Sequence, residues 1–235
     1  MTVKLPKEVL KELDDLVLLL AKGAAEDRSK AMSRLVSYEQ SGKIPFSAML
    51  ELASEENINL AMYGIGALGR SKSREGAKKL VELFGKLKDG DPLFLEVLVD
   101  AMGESGRVEV LPSLLSLLGF ESSWKMKLPK WMPGARKPED DPFARKRMEF
   151  LLLPVMRAIE NIPDAKMAHG LTGFLEHQDS LVRWHAVRIM EKNGITDSKP
   201  QLLAIAENDP VETVREAARL ALDSLAGPLP NHLNN

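Results

Sequence analysis

The sequence predicts an all-α solenoid of about five to six helical hairpins. Three observations predict it. The first is a recurring pattern: Val182-Arg183-x-x-Ala186-x-x-x-Met190 returns 32 positions later as Val214-Arg215-x-x-Ala218-x-x-x-Leu222. Leu60-Ala61-x-x-Gly64-x-x-x-Leu68 and Phe94-Leu95-x-x-Leu98-x-x-x-Met102 share the form, and Ala31-x-x-x-Leu35 supplies an earlier copy. Ala31, Gly64 and Leu98 are spaced by 33 and 34 positions. A period in this range marks stacked hairpins, each of which buries its apolar face only against its neighbours. The second is composition. Aromatic residues make up only 5% of the chain while Leu, Ala, Met, Lys and Glu abound, which favours helix. The third is size: 235 residues, 44% hydrophobic, suit one elongated domain over residues 1–226 with a tail at 227–235.

The helices follow in order. Pro6 stands as a first-turn proline, and Val9, Leu13, Leu16, Val17 and Leu20 follow at helical spacing up to Gly23. The partner helix is expected from an N-cap near Asp27 to Gly42. Pro45 opens a short helix with Met49, Leu50 and Leu52, and Asn57 caps the next, with Leu60, Gly64 and Leu68. Gly64, Gly66 and Gly69 would weaken an isolated helix; in a stack they allow close helix approach. A third pair is expected over 73–88 and 92–104, and a fourth opens at 108–118. Asp141-Pro142 caps the next helix, where Pro154 is expected to kink or split the run Phe150–Met156. Two further pairs are expected: 164–177 with 180–193, and 198–208 with 211–226.

These segments resemble HEAT repeats. Leu111-Pro112-Ser113-Leu114-Leu115-Ser116-Leu117-Leu118 looks like the family's first helix, and Asp209-x-x-x-x-Val214-Arg215-x-x-Ala218 like its second. The resemblance covers residues 164–226 most closely, then 44–118. It implies a right-handed superhelical stack with a concave surface lined by the second helices. It also implies that Arg183 and Arg215, at one repeat position, pair with aspartates in a structural ladder. Asp209 has the matching spacing to Arg215, while the equivalent partner position for Arg183 holds His177. Trp184 is expected to pack between helices.

The period breaks once. From Leu98 to Val155 there are 57 positions, so about two dozen residues have been inserted, within 119–140. Loops this long in compact domains are usually functional or disordered. This one holds Phe120, Trp124, Met126, Trp131 and Met132. Lys125, Lys127, Lys130, Arg136 and Lys137 fall between Ser122 and Pro138 with no acid among them. Bases interleaved with aromatics suit an acidic protein partner, with the rings as anchors and the charges steering encounter. The same composition suits a loop whose tryptophans pack back on the stack, or one that meets nucleic acid or membrane.

Other chemistry finds little support. There is no cysteine, so disulfides and cysteine-based sites are excluded. Net charge is −2, which supplies no global attraction to nucleic acid or anionic lipid. The apolar run Leu16–Ala21 is too short to span a bilayer. Four histidines are present: His169, His177, His185 and His232. His177, Asp179 and His185 could be drawn as a metal site, but the turn between them reverses the chain and the spacing fits no ligand motif. Glu176-His177 is a single, reversed pair, unlike the repeated His-Glu pairs of HEAT-like hydroxylases. Gly64-Ile65-Gly66-Ala67-Leu68-Gly69 has no strand before it and fits helix packing rather than a dinucleotide. Ser113 and Ser116 have no recognisable base.

The expectation is therefore a non-enzymatic, cytoplasmic scaffold with no cofactor or metal. It binds another protein, with an acidic surface, through the concave face and the insert. Nucleic-acid binding in the manner of HEAT-like glycosylases is the first rival, and it needs a basic concave surface. The second, resting on fold analogy, is a HEAT-like lyase or lyase subunit for bilin chromophore attachment.

Overall fold

The computed structural model describes residues 5–87, 92–118 and 144–226. Every regular element among them is helical. The helices are α1 (Lys7–Lys22), α2 (Ala25–Gln40), α3 (Phe46–Leu52), α4 (Ile58–Arg70), α5 (Arg74–Leu87), α6 (Pro92–Ser105), α7 (Leu111–Leu117), α8 (Ala144–Glu160), α9 (Ala165–Gly170), α10 (Ser180–Lys192), α11 (Lys199–Asn208) and α12 (Glu212–Ala226). The insert at 119–140 and the tail lie outside the described residues, and with them Trp124, Lys125, Lys127, Lys130, Trp131, Arg136 and Lys137.

Consecutive helices pair as α1/α2, α3/α4, α5/α6, α7/α8 and α11/α12, and α9 with the 3₁₀ turn Thr172–Glu176 backs α10. From α4 onward the second helix of each pair packs on that of the next, in the series α4, α6, α8, α10, α12, whereas the first pair meets α4 chiefly through α1. This is an α-solenoid, and its core runs as one continuous apolar cluster from Leu13 to Ala221. The recurring position faces that core throughout: Ala31, Leu98, Val155, Ala186 and Ala218 are buried. At Gly64 an added Cβ would lie 2.3 Å from the Ala53 nitrogen.

Two further glycines set the distance between second helices. A Cβ on Gly69 would fall 2.5 Å from the Ala101 carbonyl oxygen, and one on Gly103 would fall 2.6 Å from the Ala158 Cα. Only hydrogen fits in either place. Close packing here outweighs the entropic cost of glycine within a helix.

Three expectations need correction. The helix after Gly23 starts at Ala25, behind Ala24, and Asp27 lies in its first turn. Pro154 does not divide its segment, because α8 runs unbroken from Ala144 to Glu160. The segment 164–177 is a six-residue helix, capped by the Asp164 carboxylate on the Met167 amide, followed by the 3₁₀ turn.

Candidate functional site: the exposed face of the second helices

The repeat register places equivalent residues of neighbouring second helices in rows. Five residues before the buried position stand Asn59, Leu93, Phe150, Leu181 and Thr213. The two ends of this row are polar and its middle is apolar. Leu93, Phe150 and Leu181 are 64%, 46% and 56% exposed. Two residues before the buried position, Leu153 on α8 and Trp184 on α10 are half-buried against the core. Trp184 thus packs as expected yet keeps part of its ring at the surface. An exposed apolar side chain on its own is ordinary, and a row of three on adjoining helices is less so.

Charged residues border this apolar strip on its C-terminal side. Two positions beyond the buried residue, Asp100 on α6 and Arg157 on α8 are joined at 2.6 Å. On α10, Arg188 lies over the Trp184 ring and pairs with Glu191. Glu160, at the end of α8, gathers bases from α10: His185 Nδ1 at 2.8 Å, Lys192 Nζ at 2.7 Å and Arg188 Nε at 3.7 Å. Burial alone would push the Glu160 carboxyl up, but hydrogen bonds and charge from His185 and Lys192 bring it down to about 2. The carboxylate is fully engaged within the fold.

The arginine ladder runs between repeats rather than within one. Asp209 accepts from Arg183 Nε at 2.6 Å and Nη2 at 2.9 Å, and from the Val211 amide in the turn before α12 at 2.9 Å. Arg183 Nη1 donates to the carbonyls of His177 and Gln178 at 2.7 and 3.0 Å. Arg183, with no aspartate six positions upstream, thus makes the complete pair with the aspartate of the next repeat. Arg215, whose spacing matched Asp209, reaches only that residue's carbonyl and pairs with Glu212. Sequence spacing pointed to a partner within the repeat. The signal that could have located the real one was position: Asp209 immediately follows α11 and enters the turn beside the preceding repeat.

His177 and His185 point to different partners. His177 Nδ1 accepts from the Asp179 amide at 3.0 Å, while His185 sits on Glu160 and edge-on to Trp184. Among the described residues no group of three His, Cys, Asp or Glu side chains is placed to hold a metal ion. No helix among them is long and apolar enough to cross a membrane. Ser113 is buried with its hydroxyl unpaired, and Ser116 donates to the Ser113 carbonyl.

A cleft of about 720 Å³ opens at the C-terminal ends of α4, α6 and α8, lined by Arg70, Lys72, Glu104, Arg107 and Asn161 among others. Its bases serve the fold. Arg70 makes a two-point pair with Glu39, and Arg107 leans on Glu109. Cations at helix C-termini also offset the partial negative charge of the last carbonyls. Burial pushes the Glu104 carboxyl above its usual range, against the pull of Arg70.

Residues 154–223 match a family model described as HEAT repeats. No curated protein matches the chain by sequence. Similar solved structures include one from the complex of CpcE and CpcF of phycocyanin lyase from Nostoc sp. PCC7120. It has a TM-score of 0.49 and 17% identity, covering 86% of this chain and 73% of that one. Two engineered proteins align with TM-scores of 0.42 and 17% identity, each over 91% of this chain, and over 96% and 98% of their own lengths. Residues 154–223 are thus similar to HEAT repeats, and the described remainder is built from stacked helical pairs as well.

Proposed function

We propose that this chain is a non-enzymatic scaffold that binds another protein along the exposed face of α6, α8 and α10. The observation that carries this reading is the apolar row of Leu93, Phe150 and Leu181, confined to the middle of the stack and polar at both ends. Apolar anchors within a polar rim are what a protein interface requires. The buried carboxylate Asp209 and the half-buried Glu160 are both held by bases of the fold, as expected for a structural rather than a catalytic role.

The insert supplies a second contact in this reading. In the sequence it precedes α8, the helix that carries Phe150. Trp124 and Trp131 act as anchors, while Lys125, Lys127, Lys130, Arg136 and Lys137 favour an acidic partner.

The test compares the tagged full chain, Leu181→Glu, and a deletion of residues 121–138 as baits in the source cells. A candidate partner is then purified and its affinity measured. Leu181→Glu is expected to weaken binding at least tenfold at an unchanged melting temperature. Trp131→Ala should cost about 2 kcal/mol of binding, as loss of an aromatic anchor. If every captured protein binds all three baits equally, the reading fails.

A further inference from the structure

The seam between α8 and α10 carries an asymmetry of charge that narrows the kind of partner it fits. Its acids are turned inward: Glu160 and Glu191 keep only 11% and 17% of their side chains exposed. Its bases are turned outward. Arg157, Lys192 and Arg188 are 53%, 38% and 29% exposed. Asp100, paired with Arg157 from α6, is the exposed acid beside them. Each base is paired with an acid, so the border is balanced in charge, while its more exposed side chains are mostly the bases. That border lies two to six positions beyond the buried register residues Val155 and Ala186, while the apolar patch of Phe150, Leu153, Leu181 and Trp184 lies two to five positions before them. One helical turn separates the patch from the first bases, a rise of about 5 Å.

We propose that this seam docks an acidic amphipathic peptide segment of a partner protein. Its apolar side chains cover Phe150, Leu153, Leu181 and Trp184, and its carboxylates meet Arg157, Arg188 and Lys192. This rests on the protein-binding reading above and specifies its ligand. An amphipathic helix matches the dimensions, because its apolar and acidic faces lie side by side at the spacing of the patch and the border. Guanidinium groups already held in place by Asp100 and Glu191 lose little freedom when they donate to a second carboxylate. The charges should set association rate and choice of partner, and the apolar patch residence time.

The experiment pans a displayed library of random 16-residue peptides on the full chain, with Leu181→Glu as counter-selection. Binding of the selected peptides is then measured by fluorescence anisotropy. Expected are sequences with apolar residues at helical spacing and several Asp or Glu. Their affinity should fall at least tenfold with Leu181→Glu and about tenfold with Arg157→Gln plus Arg188→Gln, and should weaken as salt rises. Leu181 is exposed, so its replacement leaves the fold intact; Arg157→Gln alone serves if loss of the Arg188 pairs lowers the melting temperature. Selected peptides that depend on Leu181 but lack acids, or that bind the arginine variants equally well, overturn the acidic ligand and leave the scaffold reading standing. If selection yields no peptide that depends on Leu181, the seam is not the docking site. The bait comparison above then decides the scaffold reading by itself.

Discussion

Arg183 shows how much one side chain can hold between repeats. Its three nitrogens join the turn before α10 to the turn before α12, and the pair it makes with Asp209 is almost closed to water. Breaking a buried pair from one side leaves an uncompensated charge. Arg183→Met is therefore expected to cost about 3–5 kcal/mol in urea unfolding. Asp209→Asn in the same chain should recover part of that loss, because it removes the orphaned charge. A loss under 1 kcal/mol for the single variant would sink the ladder as a structural element. Glu160 makes a separate prediction, for acid stability. Its folded pKa is lowered from the ordinary 4.5 to about 2. The ionised carboxylate therefore stabilises the fold fully above about pH 4.5, and that contribution is lost as pH falls towards 2. Glu160→Gln should lower the melting temperature near pH 7 and make it fall less steeply between pH 4.5 and 2. Parallel melting curves for the two proteins would contradict the assignment.

At the scale of elements, the spacing of second helices depends on glycines that alanine cannot replace. Alanine is the better helix former by about 1 kcal/mol, so propensity alone predicts that Gly103→Ala stabilises the protein. A Cβ there meets the Ala158 backbone at 2.6 Å, and overpacking of this kind costs about 1–3 kcal/mol. Net destabilisation by chemical denaturation is the expected result. The turns after the second helices carry a related signal. Gly42, Gly106 and Gly194 close α2, α6 and α10 at φ of 70°, 62° and 66°, while Lys72 closes α4 at φ 50°. Lys72→Gly should relieve about 1 kcal/mol of left-handed strain, which a higher urea midpoint would show. These elements were largely legible in the sequence, since the 32–34-residue period and the caps Asn57 and Asp164 mark real boundaries. Pro154 was not legible as a residue inside a continuous helix. Packed against α6, α7 and α10, α8 is held by its neighbours although a proline cannot donate within a helix. The Arg183–Asp209 pair was missed for a similar reason: 26 residues of intervening chain hide a contact that only stacking creates.

For the whole molecule, the question is how the outer face of α12, the last described helix, is finished. A solenoid needs polar outer faces at its ends, or it continues by association with another copy. The last helix shows how that is achieved. Val187 on α10 is wholly buried beneath the following repeat, and the equivalent position on α12 holds Arg219. Arg219 lies across the outer face, paired with Glu212 at 3.1 Å and donating to the Ala206 carbonyl at 3.3 Å. Arg215 joins the same Glu212, so two arginines cover the end of the core. The apolar row obeys the same logic in the other dimension, since it is confined to α6, α8 and α10 and gives way to Asn59 and Thr213 towards the two ends. Charged side chains cover the outer face of α12, while the row across α6, α8 and α10 is apolar. Arg219→Leu should undo the closure. Leu222 lies three positions on and is half-buried, so the new leucine extends an apolar face where a further repeat would pack. Sedimentation velocity should show the variant self-associating with rising concentration at an unchanged helical signal, whereas Arg219→Gln, which keeps the face polar, should sediment as the original chain does. If Arg219→Leu sediments identically to the original at every concentration, Arg219 does not cap the stack.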